Sequence, residues 1–279
     1  MNKLYGDVVL IAGASSGMGK AIAEALSQEG YRVYGTSRKV NTASDDEIAV
    51  CTDTGGFIKM IQLDVCSDES AEAAVGYVKE KEGRIDILVN CAGFALAGAV
   101  EDTTHEEAFK EFNTNFFGAH RMCRYTAPIM RQNGRGLIIN ISSTAGLISV
   151  PFQSFYSASK YALEAMTEAL RMELKPYGIK VSMIEPGDTK TGFTNSRICA
   201  EASKDSVYKA TFDKSIARMV KDEQSGPPPV GIVRAVKRIV NSSNPPVRQV
   251  VGPINKILVF LKWILPDRLV EFIVSKLYA

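Results

Sequence analysis

The chain has 279 residues, 46% hydrophobic and 23% charged, with a net charge of +2. That length and apolar content suit one large soluble domain or two small ones around a substantial core, and the near-balanced charge gives no reason to expect nucleic acid as a partner. Two histidines (His105, His120) are too few for a His-based metal site, and five scattered cysteines (Cys51, Cys66, Cys91, Cys123, Cys199) form no disulfide framework, so reduced thiols in a cytoplasmic protein are expected. The N-terminus enters an apolar strand within a few residues and lacks a signal-peptide layout.

Residues 7–13 contain Val-Val-Leu-Ile-Ala, a short buried strand, which runs into Gly13-Ala14-Ser15-Ser16-Gly17-Met18-Gly19 and then a helical pattern through Glu29. Glycines in G-x-x-x-G-x-G order permit a tight turn and let a pyrophosphate approach the backbone at a helix N-terminus, where free N–H groups and the dipole favour an anion. The second strand, residues 32–37, is followed by Arg38 and Lys39, with no carboxylate where an NAD site holds the ribose hydroxyls. A guanidinium there suits a 2′-phosphate and points to NADP(H).

Residues 40–56 are polar and turn-rich and give no clear element. Residues 57–65 read as a third strand ending near Asp64, and Ser67 as the N-cap of a helix through Glu82. Residues 84–90 form a fourth strand, ending at Asn90 before Cys91-Ala92-Gly93. Strand–helix alternation predicts an α/β fold, a doubly wound parallel sheet whose ligands sit beyond the carboxyl ends of the strands, where Gly13, Asp64, Asn90 and Ser143 all fall.

One long, bent helix is expected over residues 105–133, carrying Asn113-Thr114-Asn115. A fifth strand, residues 137–141, leads into Ser142 and Ser143, and a long helical pattern covers residues 152–177. Near its start stands Tyr156-Ser157-Ala158-Ser159-Lys160, with phenol and ammonium four residues apart on one helix face. A cation beside a phenol favours the phenolate and brings its pKa toward the working range. The same spacing also arises from half-buried packing plus a solvated charge, so the rest of the chain must decide. No G-x-S-x-G elbow or triad context is present.

Taken together, Gly13-x-x-x-Gly17-x-Gly19, Asp64, Asn90-Cys91-Ala92-Gly93 (where the family has Asn-Asn-Ala-Gly), Asn115, Ser143, Tyr156-x-x-x-Lys160 and Pro186-Gly187 with Thr191 resemble the short-chain dehydrogenase/reductase family, in its order and spacing, across residues 5–195. The resemblance implies one Rossmann-type oxidoreductase domain over residues 1–279 with about seven strands and helices on both faces. It implies Tyr156 as general acid/base, Ser143 as a hydrogen-bond partner of the same substrate oxygen (Ser142 the second candidate), Lys160 on the nicotinamide ribose and lowering the Tyr156 pKa, and Asn115 supporting a water relay. For the cofactor it implies Gly13, Ser15, Ser16, Gly17, Met18 and Gly19 at the phosphates, Asp64 and Val65 at the adenine, and Asn90, Ala92 and Gly93 along the adjoining ribose. Pro186, Gly187, Thr189 and Thr191 would stand by the carboxamide or phosphate. No metal is implied.

A sixth strand is expected over residues 178–186, a polar excursion acting as substrate lid over about residues 188–226, a helix over 230–240 and a short strand over 248–252. The lid's apolar residues (Phe193, Ile198, Val207, Tyr208, Phe212, Ile216, Met219) either line a pocket or pack the lid itself. The tail, residues 253–279, reads as two apolar-faced helices separated by Pro266. Its uninterrupted apolar runs are far shorter than the roughly 20 residues needed to span a bilayer. Pocket packing, a homo-oligomer contact or a peripheral membrane contact are its three possible roles. The resemblance suggests a homodimer or homotetramer and, through the tail, a lipophilic substrate.

The leading reading is an NADP(H)-dependent enzyme interconverting a secondary alcohol and a ketone on a bulky apolar substrate, with a hydroxysteroid as one candidate. Within enzymes the rival is a 3-oxoacyl thioester or general carbonyl reductase. Outside them it is a non-catalytic dinucleotide-sensing protein, which has no need of the full Asn115/Ser143/Tyr156/Lys160 set.

Overall fold

The computed structural model describes residues 3–40, 50–191 and 194–278. Seven parallel strands form the main sheet: β1 (Val8–Ala12), β2 (Arg32–Ser37), β4 (Phe57–Gln62), β5 (Ile87–Asn90), β7 (Gly136–Ile141), β8 (Ile179–Glu185) and β10 (Arg248–Val250). The two-residue β3 (Val50–Cys51) pairs antiparallel with β4 at one edge, giving the order β10-β8-β7-β5-β1-β2-β4-β3. This is the doubly wound α/β architecture the alternation predicted. The strand order reverses at β1, flanked by β2 and β5, and the crevice for a ligand therefore opens at the carboxyl ends of β1 and β5.

The central strands are apolar on both faces because helices cover both. Val8, Leu10 and Ala12 of β1 point into one core, and Val9 and Ile11 into the other. The first core is packed by α2 (Asp68–Glu82) and α4 (Gly118–Gln132) through Ala71, Val75, Val78, Met122 and Met130. The second is packed by α1 (Gly17–Gln28) and α7 (Val230–Val240) through Ile22, Leu26, Ile232, Val236 and Ile239. Ser67 caps α2 as expected, its hydroxyl accepting the Ser70 N–H at 3.1 Å.

Three expected boundaries change. The third parallel strand stops at Gln62, and residues 63–65 turn into the Asp64 loop. The long helix of residues 105–133 is α3 (His105–Phe112), a π-helical turn (Asn113–Phe117) and α4. The extra residue of the π-turn carries Asn115 into the interior, the usual role of such a bulge at a site. The helix expected from residue 152 begins later, as α5 (Ser154–Leu174), followed by a 3₁₀ turn at Lys175–Tyr177. The cause is Phe152, whose φ of 60° is incompatible with a right-handed helix.

The lid region leaves the sheet after β8. Its β9 (Ile198–Cys199) pairs with β6 (Leu96–Ala97) in a separate two-stranded ribbon, and α6 (Lys209–Ser225) then crosses the site. Phe152 stacks edge-on against Phe212 and Tyr208 of this region, with centroids 5.7 and 6.4 Å apart. The expected lid residue Phe193 lies outside the described residues. The tail forms α8 (Pro253–Ile264) and α9 (Asp267–Tyr278), as its periodicity predicted.

Candidate active site

The glycine loop is built so that only glycine fits. Gly13 has φ of 83°, and a side chain there would press on the Ala92 backbone at 2.8 Å. At Gly19 a Cβ would lie 2.0 Å from the Gly13 carbonyl. The loop thus closes on itself, with Gly13 N–H donating to Thr36 Oγ1 at 3.1 Å and Ala14 N–H to the Thr36 carbonyl at 2.9 Å. The N-terminus of α1 is left open: Ser16, its N-cap, makes no side-chain capping bond, and the first turn holds no acid. Open N–H donors at the positive end of a helix, faced by a cradle a Cβ would fill, fit the phosphates of a dinucleotide. Arg38 is exposed just past β2, one residue beyond the strand that buttresses this loop.

Around the loop the remaining expected cofactor residues divide. Ala92 packs beneath Gly13, and Thr191 lies against Gly17. Met18, Pro186, Gly187, Thr189 and Thr191 line one cavity together with Ser143 and Tyr156. Gly93 borders Asn115 and Lys160, where a Cβ would sit 3.0 Å from Asn115 Oδ1 and 3.8 Å from Lys160 Nζ. Asp64 is partly spent on its own turn, Oδ1 accepting the Cys66 N–H at 2.9 Å, and Val65 is buried under Gly118. The Asn90 side chain is buried at the end of β5 and donates to Asn140 Oδ1 at 2.8 Å, joining β5 to β7. Cys91 takes the place of an Asn without loss of order: its sulfur receives the Gly19 N–H, and burial pushes its thiol up to about 11, keeping it protonated.

The four proposed catalytic residues converge from three elements. Tyr156, in the first turn of α5, is hydrogen-bonded to the Ser143 side chain, which follows β7 and also accepts the Ala145 N–H at 3.1 Å. Lys160 Nζ lies one helical turn on, 5.8 Å from the Tyr156 ring centre, and donates to the Ile141 carbonyl at 3.0 Å. Asn115 clamps the Phe94 backbone with both ends of its amide, at 3.1 and 3.0 Å, and donates to Ser159 Oγ at 3.2 Å. Ser142, the second candidate serine, instead stands with Glu164 around Gly146.

In the folded chain burial raises the Tyr156 phenol, and the Ser143 hydrogen bond and Arg197 partly offset it. Lys160 is buried too, and loss of solvent brings its ammonium down to about 8, so it is still mostly charged at neutral pH. The folded pKa is depressed below the roughly 10.4 of an unfolded lysine. Below pH 8 both states hold the proton and the cost of burying it is fully present; the cost fades as pH rises from 8 to the unfolded value. Lys160→Met should therefore raise stability by about 1–3 kcal/mol at pH 7, less at pH 9, while abolishing turnover. Urea unfolding at the two pH values checks this; equal or lower stability at pH 7 would count against a charged, buried amine.

Other buried ionisable groups stand behind this set and were not foreseen. Glu111 of α3 holds the Leu96 N–H at 2.8 Å and is pushed up to about 8 by burial. Glu164 of α5 and Glu185 at the end of β8 are buried together against Arg248, whose Nε lies 3.0 Å from one and 3.2 Å from the other. Burial and mutual repulsion raise both carboxyls, so the pair shares a proton. Spacing offered one clue: Glu111 precedes Asn115 by four residues and Glu164 follows Lys160 by four, so each shares a helix face with a site residue.

The cavity has a volume of about 210 Å³ and runs from Tyr156 and Ser143 to the tail. Its far wall is Met219 and Glu223 of α6 with Leu258, Leu261, Leu265, Val270, Ile273 and Leu277 of α8 and α9. Glu223 is held by Arg197 and by Thr194 Oγ1 at 2.6 Å. Asn255 of α8 presses on Gly187, where a Cβ would lie 2.3 Å from its amide nitrogen, so the tail is pinned to the site.

Comparison with known proteins agrees with this geometry. The family model described as short chain dehydrogenase matches residues 7–201. A 3-ketodihydrosphingosine reductase of Bacteroides thetaiotaomicron is 41% identical over 276 residues, covering 98% of each chain. Human retinol dehydrogenase 8 is 34% identical over 254 residues, covering 86% of this chain and 80% of the relative. The crystal structure of a short-chain dehydrogenase from Streptomyces avermitilis superposes with a TM-score of 0.79 at 31% identity, covering 97% of each chain.

Proposed function

The chain belongs to the short-chain dehydrogenase family, and from that premise we propose that it is an NADP(H)-dependent reductase of a ketone carried on a bulky apolar molecule, the ketone being a long-chain one of the 3-ketodihydrosphingosine kind. The observation that carries the reading is the cavity itself: the hydrogen-bonded Tyr156–Ser143 pair sits at one end, and apolar side chains of the tail form the other.

A bound nicotinamide dinucleotide supplies or accepts the hydride. The open α1 N-terminus would hold its phosphates, and Arg38 a 2′-phosphate, which supports NADP(H). The chain's own work is the proton. Ser143 and Tyr156 hydroxyls orient the carbonyl oxygen, and Tyr156 gives it the phenolic proton as negative charge develops there. The phenol is protonated at neutral pH, the state a proton donor to the carbonyl oxygen needs. Lys160 in its charged form stabilises the phenolate left behind and stands next to Asn115 on the route by which a proton returns.

Because burial brings Lys160 down to about 8, kcat/KM for reduction should fall with rising pH above that value, approaching tenfold per unit. A profile flat to pH 10 would remove Lys160 from the mechanism.

A bulky cyclic alcohol or ketone, such as a hydroxysteroid, is the second reading, favoured by the retinol dehydrogenase relative and the mostly apolar far wall. One panel separates the readings: a long-chain 2-amino-3-ketone, a hydroxysteroid pair and a 3-oxoacyl thioester, each with NADP(H) and NAD(H). Turnover highest with the long-chain ketone and NADPH is expected. NADPH binding with no consumption across the panel would favour a sensor instead.

A further inference from the structure

The two tail helices have two faces, and only one is explained by the cavity. In α8 the lining residues Leu258, Leu261, Lys262 and Leu265 follow helical spacing on one side. The opposite arc carries Ile257, Phe260, Trp263 and Ile264, all exposed, with Phe260 at 62% and Trp263 at 76%. In α9, Val270, Ile273, Val274 and Leu277 face the cavity, while Leu269 and Phe272 (58% exposed) face away. So many large apolar side chains on adjoining outward faces mark an interaction surface, since isolated exposed apolar residues are normal but a contiguous patch is not.

Charge decides the occupant. The outward arcs also hold Lys256 on α8 and Arg268 and Lys276 on α9, with Lys276 Nζ 5.9 Å from the Phe272 ring. Against these three cations the arcs carry one acid, Glu271 beside Phe272; α8 has none, and Asp267 of α9 is paired with Lys262 at 3.0 Å. The arcs are net positive, so a second copy docking this face on itself would set cations mostly against cations. An anionic lipid surface would meet cations flanking an apolar stripe, with an indole at the boundary. No helix among the described residues is long and apolar enough to cross a membrane, so the helices would lie in the interface.

We propose that α8 and α9 seat on an anionic bilayer surface and that, because the same two helices wall the cavity, an apolar substrate reaches Tyr156 from the lipid side. The second half rests on the apolar-substrate reading given above; the docking itself does not.

Trp263 is the chain's one tryptophan, so its emission reports the outward face directly. The full chain is titrated with phosphatidylglycerol vesicles and, separately, with phosphatidylcholine vesicles, while vesicle co-sedimentation is followed in parallel. Expected is a blue shift with co-sedimentation on phosphatidylglycerol, weaker on phosphatidylcholine and weakened by salt. The Phe260→Ser/Phe272→Ser variant should lose at least about tenfold in partitioning yet keep its turnover of a short, water-soluble ketone. That turnover tests the enzyme reading separately from the docking. Absence of binding to phosphatidylglycerol vesicles would overturn the proposal. So would a blue shift that grows with protein concentration alone and tracks a doubling of mass, since the face would then be covered by a second copy.

Discussion

Tyr156→Phe is expected to lower kcat for ketone reduction by about 10²–10⁴-fold, the range a positioned general acid contributes. The substitution removes one oxygen from a buried ring and leaves the packing of α5 in place. Ser143 loses its phenol partner but still accepts the Ala145 N–H, which holds its side chain in place. Cofactor binding, read by NADPH fluorescence, should be unchanged, because in the proposed arrangement the phosphates sit at the uncapped α1 N-terminus, away from the phenol. Loss of turnover with retained binding separates a chemical role from a structural one. A variant still working within tenfold of the parent would sink the proton-transfer assignment.

The second large effect concerns the choice of dinucleotide. Arg38→Asp should reverse the proposed preference for NADP(H), lowering its kcat/KM by about 10–100-fold, the worth of one charge-assisted hydrogen bond to phosphate. NAD(H) should gain at the same time, since a carboxylate just after β2 is what binds ribose hydroxyls in NAD sites. Arg38 is exposed, so the fold should not suffer, and stability is expected within about 0.5 kcal/mol of the parent. An unchanged ratio of kcat/KM values for the two cofactors would mean that selectivity lies elsewhere.

Much of this site was readable before any coordinates. Local chemistry made it so: the glycines at 13, 17 and 19, the serine at a strand end and the phenol–amine pair on one helix turn are each specified within a few residues. The strands were legible for the same reason, as short apolar runs bounded by turns. Boundaries failed where one residue's conformation overrode the periodic pattern, as Phe152 does before α5 and the π-turn does around Asn115.

What lay beyond sequence reasoning is set by groups distant in the chain. Arg248 meets Glu164 and Glu185 only because β10 closes the sheet beside β8 while α5 packs over it. Asn90 is tied to Asn140, fifty residues on, only because the sheet sets β7 beside β5.

By itself, then, the order of residues determined the doubly wound sheet, the glycine cradle and which residues are proposed for proton transfer, because spacing along one element decides which groups share a face. Tertiary packing alone decided the protonation of that set and the two-sided character of the tail. Both depend on which surfaces lose water when distant segments meet: burial raises the Tyr156 phenol and lowers the Lys160 ammonium, while one face of α8 and α9 walls the cavity and the other stays exposed.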